Sequence, residues 1–500
     1  MILNPSEMIE AERQLFESGI SPESLMDEAG LGIANAISQF YPEPGNLIVF
    51  FGHGHNGGDA LVAARFLKIR GWVIQLKMVT SLDKLKPLTK KKLQQFDKEK
   101  SPAILIKDDG KKLPLVVIDG LLGIGAIGDL RPGYLEASRE INHLRSYYNA
   151  VTFSLDIPSG VDGTTGRACE DAVIADFTLT IAFPKNGLLE DHAINHVGRM
   201  AVIHLPNIHP LPGQGDGTAF LINPFSLEGK LNKKTHDSHK NLNGHVGIIG
   251  GSIGMTGAPI ISGYSALKGG AGLVTLVVRE DIYPLVVSNA PPELMVIPVK
   301  DYHEVVDMPF DSLAIGPGLG RGDWENEVLD LLLSDIRPTI VDADALNLIA
   351  RKDPAELQTA PAPRLLTPHP GEMKRLDPEG EEHRRQRAES FAKKTSSTVL
   401  LKGARTIIAS PNSTQPSAYN STGNLGMSTA GVGDALTGLC SALIAGGMNT
   451  FDAACVGSWI NGRAAEIAIF NKDESIESLT AGDLPTNYGQ AFKDLKKIAF

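Results

Sequence analysis

Residues 46–69 read NLIVFFGHGHNGGDALVAARFLKI. The apolar run NLIVFFG (46–52) has the length of a buried strand and ends in glycine, and ALVAARFLKI (60–69) continues as a helix. The glycines between them let backbone N–H groups approach a ligand phosphate, as in dinucleotide-binding turns. The stretch is not a GxGxxG fingerprint, and a plain tight turn accounts for it equally well. Strand, glycine turn and helix together are half of a crossover unit, and the rest of the chain repeats that rhythm.

Downstream, VIQLKMV (73–79), LPLVVIDGLLG (113–123), AVTFSLDIPSG (150–160), DFTLTIAF (176–183) and GRMAVIHLP (198–206) read as further strands. Leu25, Met26, Ala29, Ile33 and Ala36 follow helical spacing ahead of them. Strands separated by helices imply right-handed crossovers and a mainly parallel sheet. PNIHPLPGQGD (206–216) breaks the pattern and reads as a linker. A second series follows: HVGIIGG (245–251), GLVTLVV (272–278), SLAIGPG (312–318), TIVDADAL (339–346), RLLTPHPG (364–371) and TVLLKG (398–403). The expectation is an α/β chain of two domains, 1–212 and 217–500.

Composition agrees. The 500 residues are 42% apolar and 21% charged, which is globular, and 52 glycines suit many strand-to-helix turns. A net charge of −11 disfavours nonspecific nucleic-acid or membrane binding. The basic run KLKPLTKKKLQQFDKEK (84–100) reads as a solvated helix face. Cys169, Cys440 and Cys455 lack metal or disulfide spacing, which fits a reducing cytosol. The N-terminus lacks a signal-peptide pattern, and no apolar run approaches the ~20 residues of a membrane helix. A cytoplasmic protein is expected.

Polar residues gather at the predicted strand ends, where open α/β sheets bind ligands. In the first series these are Asp119, Asp156 and Lys185. Each is an ordinary cap or turn former when taken alone, but an Asp and a Lys facing one pocket tune each other for proton transfer. In the second, GNLGMSTAGVGDALTGLCSALIAG (423–446) places a small-residue loop before an apolar helix, with Asp434 in its first turn. A carboxylate beside an anion hole makes sense if it takes the proton of an attacking hydroxyl while backbone donors hold the phosphoryl group. His369, between prolines in LTPHPGEM (366–373), reads first as a cap. Glu372 reads as a helix-start acid that could also help position magnesium, and Lys402 and Arg405 in LKGART (401–406) are available to a nucleotide.

LMDEAG (25–30), GHNGGDALVAAR (54–65), DGLLGIG (119–125), LDIPSGVDGTTG (155–166) and PKNG (184–187) together resemble the YjeF N-terminal domain, an NAD(P)HX epimerase with a Rossmann-like fold. The resemblance implies that Asp156 acts on the hydrated ring with Lys185 as its partner. It further implies that Asn56, Asp119 and Ser159 ligate K+. Substrate contacts fall on His55, Asn56, Gly57, Gly58 and Asp59, and on Gly123, Ile124, Gly125, Ala126, Ile127, Gly128 and Asp129. His55 stands where the family commonly has asparagine, and Ala60 where it has glycine.

GGSIGMTGAP (250–259), IGPGLGRG (315–322), VDADALN (341–347), LTPHPGEM, LKGART and the GVGD loop resemble, in that order, the ribokinase-like ADP-dependent NAD(P)HX dehydratase. That resemblance implies Asp434 as base at the hydrate hydroxyl, and Mg2+ carried with ADP. Lys402, Gly403, Ala404, Arg405, Thr406 and Gly433 would bind the AMP moiety, and Ala258, Gly318 and His369 the hydrated dinucleotide. Val432 stands where a small hydroxyl residue is frequent, which leaves the anion hole to backbone donors. The implied partners are NADHX or NADPHX and ADP, in a homo-oligomer without nucleic acid or membrane. Two alternatives remain open: a vitamin-type alcohol kinase of the same fold, and a noncatalytic binding module in the first domain.

Overall fold

The computed structural model describes residues 1–99, 113–126, 128–211, 213–215, 217–232, 236 and 240–497. The chain forms two compact units, Met1–Gly217 and Thr218–Ile498.

Unit 1 is built on β1 (Asn46–Phe51), β2 (Val73–Met78), β3 (Leu115–Gly120), β4 (Val151–Leu155), β5 (Phe177–Ile181) and β6 (Arg199–Ile203). All six pair in parallel, in the order β2-β1-β3-β4-β5-β6. β3, β4 and β5 are buried on both faces, which is why they read as continuous apolar runs, whereas edge strand β2 is half-exposed. Helix Pro22–Phe40 buries the Leu25, Met26, Ala29, Ile33 and Ala36 stripe predicted for it. The strand order reverses between β1 and β3, so the loops leaving those two strands diverge and open a crevice.

The basic run corrects one expectation. Most of it forms helix Pro87–Lys98, but Lys92 is buried and donates to Glu23 at 3.0 Å and to Asp27 at 2.8 Å. That face is docked on helix Pro22–Phe40 and is not wholly solvated.

Unit 2 carries β7 (Ala219–Leu221), β8 (His245–Ile249), β9 (Leu273–Arg279), β10 (Met295–Val299), β11 (Ser312–Ile315), β12 (Thr339–Val341), β13 (Arg364–Leu366), β14 (Thr398–Leu401), β15 (Thr406–Ala409) and β16 (Ser417–Asn420). They form one sheet in the order β10-β9-β8-β11-β12-β13-β14-β15-β16-β7. Pairing is parallel except at β14–β15 and β15–β16. Helix Thr450–Phe470 is apolar on nearly every side and lies in the core, as such a helix must. Here the order reverses between β8 and β11. Among the described residues, no helix is long and apolar enough to cross a membrane.

Candidate active sites

In unit 1 the turn after β1 is as tight as its glycines suggest. A Cβ on Gly52 would lie 2.0 Å from the Leu121 carbonyl oxygen, and one on Gly57 would lie 2.2 Å from that of Gly52. Helix His55–Ile69 therefore starts against the β3 loop, where Asn56 and Ser159 hold the same Leu122 peptide and Ser159 in turn meets Asp119. Asn56 donates to the Leu122 carbonyl at 2.7 Å, while its own Oδ1 is buried without a hydrogen-bond partner. Asp119 is fully buried and accepts from Ser159 Oγ (2.7 Å), Ser154 Oγ (2.8 Å), Ser159 N–H (2.9 Å) and Leu121 N–H (3.3 Å). Burial pushes its pKa upward despite those four donors. An orphaned amide oxygen, a buried carboxylate and a hydroxyl joined through Leu122 are hard oxygen donors of the kind a monovalent cation takes.

Asp156 ends β4 in the left-handed region (φ 65°), a conformation that Asp tolerates better than most residues. Its Oδ1 accepts from Lys185 Nζ and from the Ile181 N–H at 3.2 Å. Lys185, wholly buried, also donates to the Ile181 carbonyl at 3.0 Å and to Thr180 Oγ1 at 3.3 Å. Leu3 fixes the lysine's backbone from both sides: Leu3 N–H donates to Pro184 O, and Asn186 N–H donates to Leu3 O, each at 3.0 Å. The other Asp156 oxygen faces Gly123, where a Cβ would sit 3.8 Å away.

Asn56 and Asp156 open onto a cavity of about 760 Å³. His55, Asn56, Asp59, Gly123, Ile124, Gly125, Ala126, Gly128, Asp129 and Asp156 line it. Ile127 lies outside the described residues. Gly57 and Gly58 are buried behind the wall, Gly58 packed on Met26. Helix Pro5–Glu17 supplies another wall through Met8, Glu12 and Phe16. Motif reading missed Glu12. Burial, aided by the Asp156 charge and opposed by Lys185, pushes its carboxyl up to about 7. Asp59 is raised well above the carboxylate range by burial and by the Glu12 and Asp156 charges. His55 is held below the usual imidazole value by burial and by Lys86.

Unit 2 gathers its motifs at the C-terminal ends of β8, β11, β12, β13 and β14. Gly318 (φ 60°) meets Ala258 across the β8/β11 reversal, since a Cβ there would lie 3.0 Å from Ala258 Cβ. Ser252 donates to the Gly318 carbonyl at 2.9 Å, and Gly320 N–H to Asp344 at 2.8 Å. Helix Val432–Ala445 enters from Gly431 (φ 87°) with Asp434 in its first turn. Asp342, in VDADALN but given no role by the sequence, ties the centre together, accepting from Lys402 Nζ and from Thr437 Oγ1, both at 2.8 Å. Burial opposes ionisation of Asp342, but Lys402 and the two hydrogen bonds hold it below the ordinary carboxylate value. For Lys402, burial pulls downward and Asp342 and Glu372 pull upward, and the net shift is upward.

Asp434 is pushed up to about 7, first by burial and then by the Asp342 charge, with Lys402 opposing. A Cβ on Gly433 would come 3.1 Å from Lys402 Nζ, so the glycine keeps the ammonium close to the helix start. Gly403 and Ala404 are exposed, Thr406 opens β15, and Arg405 is buried. Arg384, also missed, braces this turn by donating to the carbonyls of Lys402 (3.2 Å) and Arg405 (3.1 Å). His369 does cap helix Pro370–Leu376: its Nδ1 accepts from Gly371 N–H at 3.0 Å and Glu372 N–H at 3.3 Å. That leaves Nε2 to carry the proton, in keeping with a pKa lowered by burial, Lys402 and Arg375.

Unit 1 thus presents Asp156 just past a strand end, paired with the buried Lys185, and unit 2 presents Asp434 in a helix first turn, beside a part-buried Lys402 that pairs with Asp342. The molecule is an α/β enzyme with a lysine–carboxylate pair at the strand ends of each unit. Two family models match it, one described as YjeF-related protein N-terminus over residues 22–187 and one as NAD(P)H-hydrate dehydratase over residues 246–484. The bifunctional NAD(P)H-hydrate repair enzyme of Coxiella burnetii is 33% identical, with 92% of this chain and 93% of that one covered. The enzyme of the same name from Escherichia coli is 34% identical, covering 90% and 86%. The chain belongs to the family of bifunctional NAD(P)H-hydrate repair enzymes. Among solved structures, an ADP/ATP-dependent NAD(P)H-hydrate dehydratase from Bacillus subtilis, co-crystallised with ATP and Mg2+, is 27% identical at a TM-score of 0.49. It covers 55% of this chain and 98% of its own.

Proposed function

We propose that unit 1 interconverts the R and S epimers of NADHX and NADPHX, and that unit 2 dehydrates the S epimer with ADP, releasing AMP and phosphate. The observation that carries this reading is the pair of carboxylates, Asp156 past the end of β4 on Lys185 and Asp434 in the first turn of helix Val432–Ala445 beside Lys402, each on its family's motif.

In unit 1, Asp156 works on the hydrated ring within the cavity and Lys185 holds its carboxylate in place. Residues 55–59 and 123–129 contact the substrate. Asn56, Asp119 and Ser159 would hold K+, whose chemistry would be to neutralise the Asp119 charge and anchor an anionic part of the substrate. The unpartnered Asn56 Oδ1 supports that assignment.

In unit 2, Asp434 takes the proton of the hydrate hydroxyl as that oxygen attacks the terminal phosphorus of ADP. The P–O bond to AMP breaks. Loss of phosphate, with a proton from the adjacent ring carbon, restores the ring double bond of NAD(P)H. Backbone N–H groups at the start of helix Val432–Ala445 take the phosphoryl oxygens, as preorganised donors do. Lys402, Gly403, Ala404, Arg405, Thr406 and Gly433 bind the AMP moiety, and Ala258, Gly318 and His369 the hydrated dinucleotide. The Asp344 and Glu372 carboxylates are hard donors suited to Mg2+ arriving with the nucleotide, where it would screen phosphate charge.

The test is incubation with R-NADHX, with and without ADP and Mg2+. R-to-S conversion without nucleotide and regain of NADH absorbance with it are expected. No regain with S-NADHX and ADP would leave unit 2 a kinase of some other alcohol, and no epimerisation would leave unit 1 a binding module.

A further inference from the structure

Helix Pro5–Glu17 carries four acidic residues, and three of them have structural work. Glu7 closes the capping box with Asn4, while Glu10 and Glu17 pair with Arg13. Glu12 makes no hydrogen bond or ion pair among the described residues, and lines the same unit 1 cavity as Asp156. The helix is held there by its N-terminal neighbour Leu3, whose backbone brackets Lys185, and by Gln214 and Gly215, which donate to the Glu7 carbonyl (3.2 Å) and carboxylate (3.0 Å). An acid left unpaired on a wall anchored to the catalytic lysine is poor design for stability, since a part-buried carboxyl without a partner is costly. It is sound design for moving protons.

We propose that Glu12 is a second catalytic residue of the unit 1 cavity, acting on the hydrated ring from the helix wall while Asp156 acts from the β4 end. The proposal rests on the epimerase reading of unit 1. The hydroxyl of the hydrate sits on a carbon bonded to the ring nitrogen. Glu12 gives its proton to that hydroxyl, and the C–O bond breaks with its electron pair leaving on water. The nitrogen lone pair closes a C=N+ bond. Water then adds to the other face, the C–O bond forms, nitrogen regains its pair, and Asp156 accepts the water's proton. The protons return through solvent, the reverse reaction exchanges the two roles, and nothing is oxidised or reduced. Such a division needs one carboxyl protonated and one ionised at neutral pH. Burial and the Asp156 charge supply the first by raising Glu12, and Lys185 pairs the second. Glu12 feels Asp59, Asp156 and Lys185 most directly, and His53, His55, Lys86, Asp129 and Arg131 complete the charged lining.

The experiment uses the full chain and R-NADHX, following R-to-S conversion chromatographically across pH without ADP. For Glu12→Gln, kcat is expected to fall ~10²–10⁴-fold, the usual scale of one acid–base group, with KM little changed. Wild type is expected to lose rate as pH rises through about 7, and that limb should be missing in the variant. Glu12→Asp retains part of the rate, and dehydration of S-NADHX by unit 2 is unaffected in both. Wild-type epimerisation by Glu12→Gln, or equal inactivity of Gln and Asp variants with unaltered melting, overturns the role of Glu12 alone. Absence of epimerisation in wild type overturns the parent reading.

Discussion

Asp434 occupies a first-turn position where the helix macrodipole favours a negative charge, yet its carboxyl titrates near 7. Burial outweighs the dipole, and Asp342 adds repulsion that Lys402 only partly offsets because the lysine is spent on Asp342 itself. A base must be ionised to act, so dehydration should rise as pH climbs through about 7 and fade below it. Asp434→Asn should keep nucleotide affinity, read by calorimetry, while turnover drops ~10²–10⁴-fold. Stability moves the other way. A carboxyl raised on folding holds a proton that the unfolded chain releases, so the stability it contributes is present below the ordinary carboxyl pKa and lost as pH rises through about 7. The Asn variant should therefore melt above wild type at about pH 8 and converge with it near about pH 4. At this scale the sequence singled out Asp156, Lys185 and Asp434, because motifs at strand ends and at a helix start bracket them. Asp342 stood in view within VDADALN without an assigned role, and Glu12 stayed hidden, for one physical reason: what singles them out is burial and the company of charges distant in sequence, which no local spacing encodes.

At the scale of elements, the glycines of the first turn differ sharply in what they do. Gly57 lies against the Gly52 carbonyl and cannot take a Cβ without moving the helix start, whereas Gly125 has open space around it. Gly57→Ala should cost ~1–3 kcal/mol in chemical denaturation, the usual scale of overpacking. Gly125→Ala should stay within about 0.5 kcal/mol, as surface changes do. Equal effects would refute the packing account. The buried parallel strands were legible because both faces are apolar, and the helices because Leu25 through Ala36 keep one period. β7, β10, β15 and β16 were not. β7 has three residues, and β10 carries Pro298 on a half-exposed edge, where proline is admitted because one N–H row is unpaired. β15 begins inside LKGART, a stretch whose ligand-loop reading masked its strand.

For the whole molecule, two chemistries on one chain make a separable prediction. Asp156→Ala should convert an R/S mixture of NADHX only as far as its S fraction within the assay, and Asp434→Asn should equilibrate the epimers without yielding NADH. If the S epimer passes through solvent, an equimolar mixture of the two variants completes the conversion at a rate set by protein concentration. Failure of the mixture alone would mean the intermediate never leaves the chain that made it.

The edge of the second sheet bears on how the chain is made. β7, residues Ala219–Leu221, pairs with β16, residues Ser417–Asn420, almost two hundred positions later. During vectorial synthesis β7 leaves the ribosome among the first parts of unit 2 and waits for the hairpin of β15 and β16 that receives it. Pairings so distant along the chain close slowly. The nascent second unit therefore spends most of its translation with an unfinished sheet border, while every strand of the first has already been delivered. Chaperone dependence and aggregation at high expression should accordingly track unit 2, the half whose first strand is docked last.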